Sequence, residues 1–315
     1  MHRDESPELA LTRVASPRGI LPEGPVWNAE SRRLSWVDIE LGRLHIAAVD
    51  GGSRADGEPR VRVLSVLELG DQLGCALPAE GGGWVCGLGR RLATVSPLGA
   101  VTESEPLLDK SERFNDGHID PQGRLVIGTL NSDGPDGRQL LLRLEHDGTL
   151  TTLQHGVGIS NGIAWSPDGS TLFHADTAAR TIFARDYGNA ATDSAEGSQR
   201  PFVTVDGMPD GIAIDAEGCL WVTVFDQGRV DRYSPRGELL AGQSILVPDV
   251  HVSSIAFVGD RLDTLLLTTG MPIMRQWLRR RRADDGYAFS AAAPVRGLPT
   301  RAWLPGPLPR NLPLR

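Results

Sequence analysis

The chain has 315 residues, of which 23% are charged and 40% hydrophobic, and its formal net charge is -8. An acidic chain of this kind argues against a nucleic-acid partner, because binding to phosphates needs a basic surface. No apolar run approaches the roughly 20 residues that a membrane-spanning helix needs, so we expect no membrane partner. The composition is typical of a globular protein with a substantial core.

The cysteines and the first residues indicate where the protein works. Cys75, Cys86 and Cys219 are odd in number and have no ligand-like spacing, which suits reduced, buried thiols better than a disulfide framework. The segment from Met1 to Leu9 contains no apolar stretch of the kind found in secretory signals. We therefore expect a cytoplasmic protein.

A short phrase recurs along the chain: a polar residue, a glycine and then an apolar run. Its copies read EGPVW from Glu23, NDGHID from Asn115, SNGIAW from Ser160 and PDGIAI from Pro209. The copies align on Gly24, Gly74, Gly117, Gly162, Gly211 and, in the sixth, Ser254. A period of about 40–50 residues is typical of the four-stranded blades of a propeller.

Each copy continues into a turn and further short strands. SPDG from Ser166 precedes STLFHAD from Ser170, DAEG from Asp215 precedes CLWVTV from Cys219, and a third strand reads GRLHIAAV from Gly42. Pro and Gly set the turn dihedrals, and the Val-, Leu-, Ile- and Trp-rich runs favour strands. No segment keeps a 3.6-residue apolar period. These patterns predict an all-β, six-bladed propeller with four-stranded antiparallel blades.

The N-terminal segment is predicted to close the ring. ELALTRVA, from Glu8 to Ala15, precedes the first copy. As the outer strand of the last blade it would cover edges that could otherwise pair with other chains. We predict a single propeller domain over residues 1–315, with a core over about 8–303 and an irregular, Pro-rich tail after Trp303.

Oxygen-bearing side chains start the first strand of most blades, and that strand lines the channel of a propeller. Blade by blade, these positions hold Glu23, Leu73, Asp116 with Asn115, Asn161, Asp210 and Ser253. Carboxylates and amides in a small space are costly unless a cation neutralises them. Oxygen donors suit Ca²⁺, Mg²⁺ or Mn²⁺ and tolerate Zn²⁺. Turn formation could explain each phrase singly, but it does not explain Glu23.

Other chemistry finds little support in the sequence. The seven histidines form no ligand pair, which argues against a zinc site built from histidine. His118 and His251 fall near the predicted channel mouth and are expected to be hydrogen-bonded fillers, with His251 a candidate to line the pocket. No GxSxG elbow or catalytic-cysteine signature appears, so catalysis by a nucleophilic side chain is not expected.

Several long phrases resemble the gluconolactonase/regucalcin family, also called the senescence-marker-protein family. They are LPEGPVW, RFNDGHIDPQGR, ISNGIAWSPDG and MPDGIAIDAEGCLWV, and the ending PVRGLP is similar to bacterial members. The resemblance extends from about Ala10 to about Trp303. It implies a six-bladed propeller with one divalent cation in the channel and, as in many members, hydrolysis of sugar lactones.

The resemblance also implies roles for individual residues. Glu23, Asn161 and Asp210 match the metal ligands of the family, and Asp210 matches its proposed general base. Arg113 and Asn115 match residues that contact the substrate.

Asp133 takes the place, by counting, of a family glutamate that holds sugar hydroxyls. Because an aspartate reaches less far, its role and the sugar preference stay open.

The resulting hypothesis is a hydrolase that opens a sugar lactone to the aldonic acid with metal-activated water. Its cation would be Ca, Zn, Mn or Mg, its partner a small sugar lactone, and its assembly a monomer or weak homodimer. Two alternatives remain: a metal-dependent esterase or phosphotriesterase using the same site, or a non-catalytic propeller that binds a cation or metabolite, since fold alone does not decide function.

Overall fold

The computed structural model describes residues 9–50, 60–188, 199–271 and 285–313. Across these residues the chain forms 24 strands and no helix. The strands form six four-stranded sheets, which we number as blades 1 to 6. Strand pairs within the blades are antiparallel. The predicted all-β, six-bladed propeller is therefore confirmed.

Blades 1 to 3 run from the innermost to the outermost strand in chain order. Their strands are β2 (Pro22–Asn28), β3 (Arg33–Asp38), β4 (Arg43–Asp50) and β5 (Arg60–Glu68); β6 (Leu73–Pro78), β7 (Trp84–Leu88), β8 (Arg91–Val95) and β9 (Val101–Glu103); and β10 (Glu112–Ile119), β11 (Leu125–Asn131), β12 (Gln139–Leu144) and β13 (Leu150–Val157).

Blades 4 and 5 follow the same order, whereas blade 6 takes its outermost strand from the N-terminus. Their strands are β14 (Ser160–Trp165), β15 (Thr171–Asp176), β16 (Thr181–Asp186) and β17 (Arg200–Thr204); β18 (Pro209–Ile214), β19 (Leu220–Val224), β20 (Arg229–Tyr233) and β21 (Ile245–Leu246); and β22 (Val252–Val258), β23 (Thr264–Thr269), β24 (Ala288–Ala292) and β1 (Thr12–Arg13).

The N-terminal strand closes the ring as predicted. Thr12 lies opposite Ser290 and Arg13 opposite Phe289, which makes β1 the outermost strand of blade 6. The paired strand is two residues long, shorter than the predicted segment from Glu8 to Ala15. The next residue, Val14, is buried and donates its N–H to Ala288 O at 2.8 Å. The first and last parts of the propeller are thus held together by backbone hydrogen bonds.

The core lies between neighbouring blades. One cluster joins Leu77 and Val85 of blade 2 to Phe114 and Ile127 of blade 3, and equivalent clusters join blades 4 to 5 and 5 to 6. Each innermost strand contacts the innermost strands on both sides, from β2 through β22 and back to β2. This packing leaves a channel along the axis, lined by the six innermost strands.

All six innermost strands carry a β-bulge near the end at which they begin. The pairing with the second strand slips between Glu23 and Val26, Leu73 and Cys75, Phe114 and Gly117, Ser160 and Ile163, Pro209 and Ile212, and Val252 and Ser254. A bulge re-aims the side chains of the residues within it and is frequent beside active sites. Each copy of the repeated phrase therefore forms one bulge, and the six bulges surround one mouth of the channel.

The C-terminal segment docks across the far ends of the innermost strands. Thr300 Oγ1 donates to Trp27 O at 2.8 Å in blade 1, Trp303 bridges Ala79 of blade 2, and Leu304 N donates to Gly123 O at 2.8 Å in blade 3. Among the described residues beyond β24 there is no strand, in agreement with the expected irregular tail. The tail nevertheless contributes the buried Trp303 to the core between blades 2 and 3.

All three cysteines are free and buried, as the sequence predicted. Burial, together with the charge of Asp116, raises the pKa of Cys75 to about 12. A thiol with so high a pKa carries almost no thiolate at neutral pH and is chemically inert. Over the four described ranges, no helix is long and apolar enough to cross a membrane.

Candidate functional site

Four side chains from four blades meet at the channel mouth where the bulges lie. Glu23, Asn115, Asn161 and Asp210 are each at most 9% exposed. Asn115 Nδ2 donates across the gap between blades to Asn161 Oδ1 at 2.5 Å and to Ser160 O at 2.7 Å. The charge of Asp210 acts directly on Glu23. The convergence expected from the repeat is therefore present in the structure.

Strand pairing aligns blade 3 with blade 4 differently from an alignment on glycines. Ser160 and Ile163 flank a bulge that contains Asn161, and Phe114 and Gly117 flank one that contains Asn115 and Asp116. Asn115, the first residue of its bulge, is thus the structural equivalent of Asn161. An alignment of the blades on their glycines instead makes Asp116 the equivalent of Asn161, which is one residue away from the register that strand pairing sets.

The glycines at the bulges serve two different needs. Gly24 has a φ of +54°, in the left-handed region that glycine adopts without strain. Gly162 has no such requirement, but a Cβ on it would lie 2.5 Å from Asp210 O in the next blade. Glycine at 162 therefore lets the innermost strands of blades 4 and 5 approach closely enough to bring Asn161 and Asp210 to one site.

Three acids share this mouth with one buried guanidinium. Burial raises the pKa of Glu23 well above its usual value, and the charges of Asp210 and Asp116 raise it further. Burial also raises the pKa of Asp210, with a further rise from Asp116, whereas Arg113 lowers it. The pKa of Asp116 is raised to about 6, again by burial.

A bound cation would relieve this repulsion and favour the ionised carboxylates. Because the donors are carboxylate and amide oxygens, the set fits a hard divalent cation.

Arg113 interacts with these acids and with a further carboxylate at this mouth, that of Glu40. Its Nη1 donates to Asn115 Oδ1 at 2.5 Å and to Phe114 O at 3.1 Å. Burial lowers the pKa of Arg113, while attraction to Glu40, then Glu23 and Asp210, raises it. Arg113 therefore orients Asn115 and balances part of the negative charge of the site.

A threonine that the sequence did not single out sets the orientation of Asn161. Thr177 Oγ1 donates to Pro209 O at 2.6 Å, so it must accept the bond from Asn161 Nδ2 at 2.7 Å. The amide oxygen of Asn161 then points away from Thr177, toward Asn115. Thr177 follows β15, and only the three-dimensional fold brings it beside the bulge of blade 4.

Two other functional candidates also escaped the sequence analysis. Gln72 Nε2 donates to both carboxylate oxygens of Glu40, at 3.0 and 3.1 Å. Glu40 follows β3 and Gln72 precedes β6, so both lie on loops at the end where the innermost strands begin. That position is the one signal by which the sequence could have found them.

Asp133 lies apart from the buried group. It is exposed in the turn after β11, its backbone N–H donates to Asn131 Oδ1 at 3.0 Å, and its carboxylate accepts no hydrogen bond from the residues that the structure describes. The neighbouring Asp136 takes the local hydrogen bonds instead, from Asn131, Arg138 and Gln139. A substrate contact by Asp133 stays a prediction.

The two histidines expected near the mouth occupy different places. His251 is buried against Phe225, with ring centroids 5.2 Å apart, and forms a group with Asp249 and Asp285 whose ligand atoms lie within 4.8 Å of one another. His118 lies beyond the bulges, in a cavity of about 450 Å³ that Trp165 also lines. Burial lowers the pKa of His118, which favours the neutral ring.

Comparison with known proteins gives one family and many relatives. The family described as SMP-30/Gluconolactonase/LRE-like region matches residues 21–271. The chain is 36% identical to pentonolactonase XacC of Haloferax volcanii over 83% of its own length and 85% of the relative's. It is 34% identical to a 6-deoxy-6-sulfogluconolactonase of Pseudomonas putida, over 82% and 86% of the two chains.

Solved structures share the same architecture. A calcium-binding protein, regucalcin, of Agrobacterium tumefaciens superposes with a TM-score of 0.78 at 25% identity, over 94% of this chain and 98% of that one. A luciferin-regenerating enzyme superposes with a TM-score of 0.81 at 26% identity, over 94% of this chain and 100% of that one.

Proposed function

The chain belongs to the SMP-30/gluconolactonase/LRE-like family, and on that premise we propose that it hydrolyses sugar lactones to aldonic acids with the help of a divalent cation. The observation that carries the proposal is the group of buried oxygen donors at one channel mouth, with Arg113 beside it. Relatives named as lactonases, at 34–36% identity over most of both chains, support the same reaction.

Glu23, Asn161 and Asp210 would hold the cation. Their two carboxylates and one amide would leave positions open for water and substrate, and Ca²⁺, Mg²⁺, Mn²⁺ and Zn²⁺ all accept such donors. When bound, a divalent cation supplies Lewis-acid chemistry, withdrawing electron density from an ester carbonyl and making water easier to deprotonate.

Asp210 is the proposed general base. Its carboxylate would take a proton from the water that adds to the lactone carbonyl carbon, and return it to the ring oxygen as the ring C–O bond breaks. The product then carries a new hydroxyl and a new carboxylic acid, which releases its proton to solvent at neutral pH.

Arg113 and Asn115 would hold the substrate's hydroxyls and fix the ring beside Asp210. Because Arg113 already orients Asn115 by a hydrogen bond, the two are poised to act as a unit.

The test is lactone hydrolysis by protein stripped of metal and then supplied separately with Zn²⁺, Mn²⁺, Mg²⁺ or Ca²⁺. We expect activity to disappear on stripping and to return with at least one cation. A substrate panel of gluconolactone, arabinonolactone, xylonolactone and a paraoxon-like ester separates a lactonase from an esterase. Tight metal binding without hydrolysis of any member would refute the proposal and favour a binding propeller.

Two substitutions in the ligand group and one control complete the test. Asp210→Asn should lower kcat by about 10²- to 10⁴-fold, the usual contribution of a general base, and Glu23→Gln should abolish metal binding. Glu103→Gln makes the same charge change on the outer strand of blade 2, where the side chain is 44% exposed, and should change neither. Activity like that of the wild type in Asp210→Asn would contradict the assigned role.

Three other expectations from the sequence stay predictions: a single domain over residues 1–315, a cytoplasmic location, and a monomer or weak homodimer. Light scattering coupled to size-exclusion chromatography tests the last. A mass that stays above that of a dimer on dilution would contradict it.

A further inference from the structure

A carboxylate held by an amide lies on the loops at the same channel mouth as the proposed site. Glu40 and Gln72 are each partly exposed, and Gln72 Nε2 donates to both Glu40 oxygens, at 3.0 and 3.1 Å. A single amide nitrogen shared between two oxygens fixes the plane of the carboxylate and leaves lone pairs on each oxygen, because a carboxylate can accept about four hydrogen bonds. Gln72 thus orients Glu40 and leaves its carboxylate able to accept further hydrogen bonds.

Arg113 joins this rim pair to the buried acids. Of the charges that attract Arg113, Glu40 acts most strongly, ahead of Glu23 and Asp210. Arg113 is therefore close enough to interact with both Glu40 and the ligand group. A lactone whose ring is held by Arg113 and Asn115 would extend the rest of its carbon chain toward Glu40 and Gln72.

We propose that Glu40, held by Gln72, contacts the substrate and determines specificity, accepting hydrogen bonds from hydroxyls remote from the lactone carbonyl. This inference rests on the proposed lactonase function. The charge of Glu40 makes the site selective for neutral polyhydroxylated lactones. A lactone that carries a carboxylate, sulfonate or phosphate at its far end meets like charge there, and a buried or half-buried mouth screens that repulsion poorly.

The alternative role for Glu40 is to position Arg113 by charge alone. The two roles differ in how the loss of Glu40 would affect the hydrolysis of different lactones. Loss of a positioning residue would slow hydrolysis of every lactone alike, whereas loss of a contact would weaken only lactones that have the remote hydroxyl. It would also improve hydrolysis of lactones with an anionic group in its place.

The experiment compares glucono-1,4-lactone with glucaro-1,4-lactone, which has a carboxylate instead of the terminal CH₂OH, in the metal-loaded wild type, Glu40→Gln and Glu103→Gln. In Glu40→Gln we expect kcat/KM for gluconolactone to fall about 10- to 100-fold, mainly through a rise in KM, because a hydrogen bond to a charged group is lost. We expect kcat/KM for glucarolactone to rise about threefold or more as like charge is removed. Glu103→Gln should leave both values unchanged.

A 6-deoxy lactone supplies the cross-check. On this substrate kcat/KM of the wild type and of Glu40→Gln should differ by less than it does on gluconolactone. If kcat/KM falls equally for all three lactones in Glu40→Gln, the inference is overturned. It is also overturned if the ratio of kcat/KM for gluconolactone to kcat/KM for glucarolactone does not change. Either result leaves the lactonase function standing. A wild type that hydrolyses no lactone with any of the four cations overturns the proposed function, and the inference with it.

Discussion

Replacing Thr177 by Val should lower both the stability of the propeller and its affinity for metal. The substitution keeps the shape of a side chain that is 4% exposed but removes its hydroxyl. Two buried groups then lose their partner: the Asn161 amide N–H at 2.7 Å and the Pro209 carbonyl at 2.6 Å. Because an unsatisfied buried polar group costs about 1–3 kcal/mol, the free energy of unfolding should fall by about 2–6 kcal/mol.

The same change should weaken metal binding, because Asn161 loses the bond that orients its amide. Loss of a group that orients a metal ligand typically lowers affinity 10- to 100-fold, which calorimetric titration of the stripped protein would detect.

Thr129→Val is the matched control. Thr129 is fully buried, and its hydroxyl donates to Gln139 Oε1 at 3.0 Å and accepts from Leu140 N at 2.9 Å, neither of which is a proposed ligand. Both variants should lose similar stability in chemical denaturation of the metal-free protein, but only Thr177→Val should lose metal affinity. Equal metal affinity in the two variants would refute the orientation of Asn161 by Thr177.

Two further predictions concern stability. Trp303→Ala should lower the free energy of unfolding by about 3–5 kcal/mol, the range for deleting a buried aromatic side chain, because Trp303 is only 4% exposed between blades 2 and 3. Leu98→Ala, at a side chain that is 98% exposed, is the control. Equal effects of the two substitutions in chemical denaturation would exclude docking of the tail. Burial lowers the pKa of His174 from 6.5 to about 4, so the folded state binds fewer protons than the unfolded chain between these values. Its stability should therefore be complete above about pH 6.5 and fall by about 3 kcal/mol as the pH drops to about 4; His174→Gln should flatten that part of the curve, and an unchanged slope would contradict the assignment.

The architecture and most of the candidate site could be predicted from the sequence, because both depend on a local pattern that repeats. A phrase of a polar residue, a glycine and an apolar run encodes one bulged innermost strand, and six copies place six such strands around an axis. The closing strand followed from the single apolar segment left outside the repeats. Glu23, Asn161 and Asp210 were identifiable because each sits within the phrase.

Contacts between residues distant in the chain could not be predicted in this way. Glu40 and Gln72 are 32 residues apart, as are Thr177 and Pro209, and no local pattern marks either pair. The equivalence of Asn115 with Asn161 also depends on strand pairing, because a residue's partner on the neighbouring strand, and not the position of a glycine, sets the register. Docking of the tail on blades 1 to 3 likewise required the assembled ring.

The sequence by itself thus determined the repeat, the strands and the residues carried to the channel mouth, since these follow from the periodicity and turn chemistry of short segments. The tertiary structure alone decided how those residues are oriented, which side chains support them and what stands on the rim. The physical reason is that hydrogen bonds and charges such as those of Thr177, Arg113 and Glu40 depend on distances in space, and ring closure sets those distances only when every blade is in place.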